Sequence, residues 1–262
     1  MAITNINGIN IHYRIDEPKG KANAPTLVLL NSIATRLAIW DELVPALSEE
    51  FRVLRYDARG QGASSAPHGA YSMKLLAADV LGLLDHLRIE RAHLCGSSLG
   101  AMVAMSIATS HPNRVDRLVL CNTTAWAGPA QAWISRADAV AEKGMPVLRT
   151  SVMERWLSPH FVTCRAERAE EIALMATCSS DHGYIGACHA IGAMDQRQSI
   201  RLIRNPTLVI ASTADIATPP ADSRMIAQAI GGALYKELPG GHLSHVEQPQ
   251  ALAEELKNFL NH

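Results

Sequence analysis

No sign of charge dominates this chain. Lys and Arg number 24 against 25 Asp and Glu, and charged residues make up only 19% of 262. That balance offers no bulk-charge argument for a nucleic-acid or membrane partner, and neither is expected. No apolar run approaches membrane-spanning length. The segment Met1-Ala2-Ile3-Thr4-Asn5-Ile6-Asn7-Gly8 lacks a basic stretch followed by an apolar one, so no secretory leader is expected. The five cysteines (Cys95, Cys121, Cys164, Cys178, Cys188) are odd in number and show no C-x-x-C spacing. Free buried thiols in a reducing cytoplasm are the expectation, and a zinc site is not. Internal repeats and low-complexity tracts are also missing. What remains is a compact, Ala-rich chain, long enough for one α/β domain with an insertion and ample for a sizeable core.

The most informative stretch is Ala92-His93-Leu94-Cys95 followed by Gly96-Ser97-Ser98-Leu99-Gly100 and then Ala101 to Ala108. The first part reads as a buried strand and the last as a buried helix. Between them lies G-x-S-x-G, centred on Ser98. The bare motif arises often by chance, but strand, Gly-flanked Ser and helix together make a nucleophile elbow. The sharp turn requires Gly96 and Gly100, because side chains there would strike neighbouring backbone. Ser98 is thereby pushed out at a helix N-terminus, whose dipole favours developing negative charge.

Elsewhere, residues 2–6 and 9–15 alternate around Asn7-Gly8 and predict a hairpin. Pro25–Asn31, Arg52–Tyr56, Arg117–Asn122, Pro206–Ser212 and Leu234–Leu238 read as strands. Ile39–Leu47, Met73–Leu87, Ala221–Ile230 and Pro249–Leu260 read as helices; in the second, Leu76, Val80, Leu83, Leu84 and Leu87 share a face. From about Thr123 to Gln198 no buried parallel strand appears, the pattern is mostly helical, and three of the four tryptophans fall here. The expected fold is α/β: a mainly parallel eight-stranded sheet with helices on both faces and an inserted helical cap. Expected boundaries are core 1–123, cap 124–197 and core 198–262.

A serine needs a base, and the base needs an orienting acid. Asp215 follows the strand ending at Ser212, and His242 follows the last strand. Sites in open parallel sheets lie beyond strand carboxyl ends, and Ser, acid, His is the order this architecture uses. His245, three residues on, competes as the base; the glycine pair before His242 favours His242 by freeing the backbone to aim its ring. Asp222, within the next helix, and Asp195, in the cap, compete less well as the acid. Two N–H donors must also meet the oxyanion. Leu99, after the nucleophile, supplies one, and Ile33, in the loop after the strand ending near Asn31, is assigned the other.

With these parts in place the chain resembles the α/β-hydrolase fold over its whole length, and within it the 3-oxoadipate enol-lactonases. The residues that carry the resemblance are Asn31-Ser32-Ile33 leading to Trp40, Leu54-Arg55-Tyr56-Asp57-Ala58-Arg59-Gly60-Gln61-Gly62, and Cys121-Asn122-Thr123. In the cap they are Trp133-Ile134-Ser135-Arg136, Arg155-Trp156-Leu157 and Gly183-Tyr184…Cys188…Ala190-Ile191. Asp215…Thr218-Pro219 and His242-Leu243-Ser244 complete it. The resemblance implies a carboxylic-ester hydrolase that opens a small anionic enol-lactone to a 3-oxo dicarboxylate in bacterial aromatic catabolism, through an acyl-enzyme on Ser98, with no metal or organic cofactor. It also implies Arg136 as the cation for the substrate carboxylate and Trp133 as an aromatic wall.

The chain departs from the family at four places. Ala34 stands where Gly is usual, Arg36 where an acid is, Gln61 for a common His and His245 for a common Asn. These leave the hydrolytic parts in place and bear on the substrate. A carboxylesterase of neutral esters and a carbon–carbon bond hydrolase of ring-cleavage products are the alternative activities. A binding protein that kept the fold would have no need of an ordered Ser–Asp–His set.

Overall fold

The structure, a computed structural model, describes residues 2–20 and 23–261. Met1 and His262, the outer bounds of the expected core segments, lie outside the described residues. Strands β1 (Ala2–Ile6) and β2 (Ile9–Asp16) form the expected hairpin, with Asn7 and Gly8 at φ 51° and 78° as a tight reversal demands. Strands β3 (Thr26–Leu30), β4 (Arg52–Tyr56) and β5 (Ala92–Ser97) follow, separated by helices α1 (Val44–Leu47) and α2 (Met73–His86). Helix α3 (Leu99–Ser110) leads to β6 (Val115–Cys121). Five helices then intervene before the sheet resumes: α4 (Ala130–Lys143), α5 (Arg149–Arg155), α6 (Pro159–Cys164), α7 (Ala166–Thr177) and α8 (Asp181–Gly192). The chain closes with β7 (Thr207–Ser212), α9 (Pro220–Ala229), β8 (Leu234–Leu238), α10 (Ser244–Glu247) and α11 (Pro249–Leu260).

The sheet has eight strands in the order β1-β2-β4-β3-β5-β6-β7-β8, antiparallel through β1, β2 and β4 and parallel from there on. The strands expected to be covered on both faces are: every residue of β5 and β7 is buried, as are the last four of β3. On α2, Leu76, Val80, Leu83 and Leu84 are buried together. Ser72 caps that helix by accepting from the Leu75 N–H at 3.1 Å.

Two expectations need correction. Ile39–Leu47 is not one helix: a 3-10 turn covers Leu37–Trp40, and α1 begins only at Val44. Fixed side chains hold the turn there. The Asp57 carboxylate accepts the Leu37 N–H at 2.6 Å, and the Trp40 indole donates to Asn31 Oδ1 at 2.7 Å. The thiols are all free but not all buried: Cys95, Cys121 and Cys188 are buried, whereas Cys164 and Cys178, at the ends of α6 and α7, are exposed.

The inserted helices are tied to the sheet layer by short contacts. A Cβ on Gly60 would lie 2.4 Å from Gly183 Cα, so the two backbones meet where only glycines fit. The Tyr71 N–H donates to Gly186 O at 3.1 Å. Glu42 accepts from Arg168 at 2.9 Å and Arg165 at 3.3 Å, and Glu247 accepts from the Ser158 hydroxyl at 2.6 Å. Among the described residues, no helix is long and apolar enough to cross a membrane.

Candidate active site

The parallel strands end nearly level, and this gathers the site. Leu30 pairs with Gly96, Ser97 with Cys121, Cys121 with Ile210, and Ser212 with Leu238. The loops after β3, β5, β6, β7 and β8 therefore leave along one rim, which carries Ile33, Ser98, Asn122, Asp215 and His242. The order of strands reverses around β3, between β4 and β5, so the elbow stands at a switch point of the sheet, where open α/β folds form their crevice.

At the elbow, Ser98 adopts φ 53° and ψ −115°, a strained backbone costing on the order of 1–3 kcal/mol. The flanking glycines make it possible. A Cβ on Gly96 would lie 2.4 Å from Ala101 N, and one on Gly100 would lie 2.1 Å from Leu30 O. The Ser98 backbone is pinned on both sides: its N–H donates to Cys121 O at 3.0 Å, and its carbonyl accepts from the Thr123 hydroxyl at 3.0 Å.

His242 Nδ1 and Asp215 Oδ2 lie 2.9 Å apart, both buried. Asp215 is further held by the N–H groups of Ala217 (2.8 Å) and Thr218 (2.9 Å), by the Thr218 hydroxyl (2.9 Å) and by Asn122 Nδ2 (3.1 Å). Burial pushes this carboxyl up, but His242, Thr218 and Asn122 outweigh it and hold it below its ordinary value. Asp215 is thus a fixed carboxylate that orients the ring. Ser98 and His242 open on one cavity of about 340 Å³. No Ser98 Oγ–His242 hydrogen bond is present among the described residues, and in free hydrolases that contact often tightens only with substrate.

The competitors resolve differently. His245 is fully buried against Trp40, with ring centroids 4.1 Å apart. Burial, helped by His242 and Arg168, lowers its pKa to about 3, so it stays neutral and is no candidate base. Asp195 is exposed and paired with Arg197 at 2.6 Å. Asp222 lies in α9 as expected, yet it lines the cavity. Burial raises its carboxyl above the ordinary value, Thr124 pulls it down and Asp215 adds to the rise.

The loop carrying Ile33 is held by its neighbours. Ser32 O accepts from Gln61 Nε2 at 3.0 Å and from the Thr35 hydroxyl at 2.8 Å, and Ser32 Oγ meets Ser97 Oγ at 3.0 Å. Gln61, in place of the family's His, therefore clamps this loop. Ala34 takes φ 55°, the left-handed conformation that explains the family's glycine there. Among the described residues, the backbone N–H groups of Ile33 and Leu99 have no acceptor. Ile33 lines the cavity and Leu99 opens α3.

The inserted helices supply the roof. Trp133 and Arg136 of α4 line the cavity, with the guanidinium 4.6 Å from the indole centroid. Arg155, at the end of α5, lines it too. Neither arginine has an ion-pair partner among the described residues. Arg36 is exposed and does not line the cavity. Sequence reading passed over Asn122 as a support for Asp215, although its place just after a strand end was the available signal. It also gave Arg155 no role. Among the described residues, no group of three or more His, Cys, Asp or Glu is placed to hold a metal ion.

Residues 25–249 match the alpha/beta hydrolase fold family. The chain belongs to that family. Two curated relatives come from Acinetobacter baylyi strain ADP1. 3-Oxoadipate enol-lactonase 2 is 36% identical over 88% of this chain and 87% of its own length. 3-Oxoadipate enol-lactonase 1 is 32% identical over 98% and 96%. Among solved structures, the enol-lactonase from Burkholderia xenovorans LB400 superposes with a TM-score of 0.96 at 40% identity, covering all of both chains. This alpha/beta hydrolase is an enzyme of the lactone and ester type, similar to the enol-lactonases.

Proposed function

We propose that this hydrolase opens a small anionic lactone, with 3-oxoadipate enol-lactone as the leading candidate, through a Ser98–His242–Asp215 acyl-enzyme mechanism in bacterial aromatic catabolism. The observation that carries the proposal is the joint lining of one cavity. A strained Ser98 and an Asp215-oriented His242 form its floor, and two arginines with no carboxylate partner among the described residues form part of its roof.

The chemistry follows from the placement. Asp215 accepts a hydrogen bond from the His242 Nδ1–H, which fixes the proton on Nδ1 and leaves Nε2 free as the base. Ser98 Oγ attacks the lactone carbonyl as Nε2 accepts its proton. The oxyanion meets the Ile33 and Leu99 N–H groups, worth ~3 kcal/mol each. Collapse breaks the ring C–O bond, and the imidazolium returns the proton to the leaving enol, which ketonises. Water, deprotonated by His242, then attacks the acyl carbon, and Ser98 departs with the proton. Arg136, stacked on Trp133, and Arg155 hold the free carboxylate. In this reading residues 124–197 act as a cap over a core of residues 1–123 and 198–262, and the free thiols suit a reducing cytoplasm.

The test is turnover of 3-oxoadipate enol-lactone beside its neutral methyl ester. Wild type is expected to favour the acid at least tenfold in kcat/KM, and Arg136→Ala to remove most of that preference by raising KM for the acid. Ser98→Ala is expected to lose at least ~10⁴-fold in kcat while keeping its fold. Equal turnover of both substrates refutes the anionic assignment, and near-normal hydrolysis by Ser98→Ala refutes the mechanism.

A further inference from the structure

Asp222 is a polar group of the cavity that the mechanism does not use. It sits in the first turn of α9, just past the loop that carries Asp215, and lines the same space as Ser98 and His242. Its backbone N–H is satisfied by Pro219 O at 2.8 Å. Its side chain forms no ion pair among the described residues, although two arginines line the same cavity. Thr124 is hydrogen-bonded to the carboxyl and occupies part of its acceptor capacity; the remainder of a half-buried carboxyl in that position is presented to whatever fills the cavity.

The surroundings narrow what it can accept. An ammonium would be opposed by Arg136 and Arg155. A second carboxylate beside Asp222 would be opposed by Asp222 itself and by Asp215. A neutral donor meets neither penalty, and a hydrogen bond to a charged acceptor discriminates more than a neutral one. We propose that Asp222 is a specificity-determining residue, whose carboxylate receives a neutral hydrogen-bond donor, a hydroxyl or amide N–H, carried by the substrate beside its scissile carbonyl. This rests on the reading of the cavity as the hydrolytic site. 3-Oxoadipate enol-lactone has no such donor and is accepted without this contact; Asp222 adds a preference, among anionic lactones and esters, for one that places a donor toward the core wall.

The experiment compares matched substrates that differ by one hydroxyl. The first pair is 5-oxotetrahydrofuran-2-acetate and the same lactone hydroxylated next to its carbonyl. The second is phenyl acetate and phenyl glycolate. Each is measured with wild type, Asp222→Asn and Asp222→Ala, after thermal melts show that the variants are folded. The quantity read is the ratio of kcat/KM within a pair, which cancels any general loss from a shifted α9.

Asp222→Ala is expected to lower the hydroxylated-to-plain ratio at least tenfold relative to wild type. Asp222→Asn, which keeps an acceptor oxygen, is expected to retain part of it. A ratio unchanged in Asp222→Ala overturns the proposal, as does an equal fall in both members of a pair, which marks a merely structural residue. If wild type opens neither lactone, the anionic-lactone reading fails by itself, and the ester pair still decides the role of Asp222.

Discussion

Replacing His245 with Phe is expected to remove about 2 kcal/mol of acid sensitivity from the fold between pH 7.5 and pH 5.0. His245 is fully buried, stacked on Trp40, and neither ring nitrogen has a hydrogen-bond partner among the described residues. Its pKa falls to about 3, first through burial and then through His242 and Arg168. In the unfolded chain the ring titrates near ~6.5. Above that value neither state holds the proton and stability is independent of this group. Between about 6.5 and about 3 only the unfolded chain binds it, so stability falls as pH falls. At pH 5.0 the unfolded state gains about 1.5 pH units of protonation, or ~2 kcal/mol. Asp215, whose pKa is depressed, stabilises above the ordinary carboxylate value and loses that contribution only at lower pH, outside this interval. His93, also lowered by burial, contributes equally to wild type and variant. Phe preserves the ring stack on Trp40. Urea unfolding at both pH values measures the difference, and His245→Phe should lose about 2 kcal/mol less than wild type on acidification. Equal losses in the two proteins would show that His245 is protonated in the folded state and refute the reasoning.

Three more outcomes follow from contacts in the structure. Gly100→Ala places a Cβ 2.1 Å from Leu30 O, which is backbone and cannot yield, so a loss of about 3 kcal/mol or more is expected in thermal or urea unfolding; a loss under about 1 kcal/mol would contradict the packing of the elbow. Ala34→Gly relieves a left-handed residue at φ 55°, worth ~1–2 kcal/mol, against ~0.5–1 kcal/mol of added unfolded-state entropy. The net expectation is up to about 1 kcal/mol of stabilisation, read as a higher Tm, and a lower Tm would count against it. Arg155→Ala should raise KM for an anionic lactone about tenfold and leave a neutral ester unaffected; equal effects on both would deny Arg155 a role in charge recognition.

The placement of the cavity floor was legible because it depends on local rules. G-x-S-x-G between an apolar strand and a buried helix has few other uses, and the loops bearing Asp215 and His242 follow strands whose ends the parallel register levels. The hairpin at Asn7-Gly8 and the final helix at Pro249–Leu260 were equally local. Ile39–Leu47 misled because its apolar spacing is helical while its geometry is set from a distance, by Asp57 on Leu37 and Asn31 on Trp40. Asp222 was readable as helical, but nothing in its neighbours says that its helix borders a cavity, since the far wall comes from α4 and α5, far earlier in the chain. Arg155 sits within the Arg155-Trp156-Leu157 motif, and its lack of an ion-pair partner among the described residues is a property of the folded molecule alone.

That division has a mechanical counterpart. Floor groups are over-determined: Asp215 accepts from five donors, Ser32 O from two, and the Ser98 backbone is fixed at both its N–H and its carbonyl. Such groups are preorganised, and on the proposed mechanism disturbing them falls on the chemical step. Charged roof groups are under-determined, since Arg136 and Arg155 have no ion-pair partner among the described residues. On the proposed function their energy is realised on binding and falls mainly on KM. Asp222 belongs to the floor by position but to the roof by this criterion, because its carboxyl is not tied into the network that holds Asp215. On the proposed roles, specificity can therefore shift at Asp222 and along α4 and α5 while the Ser98–His242–Asp215 geometry stays fixed.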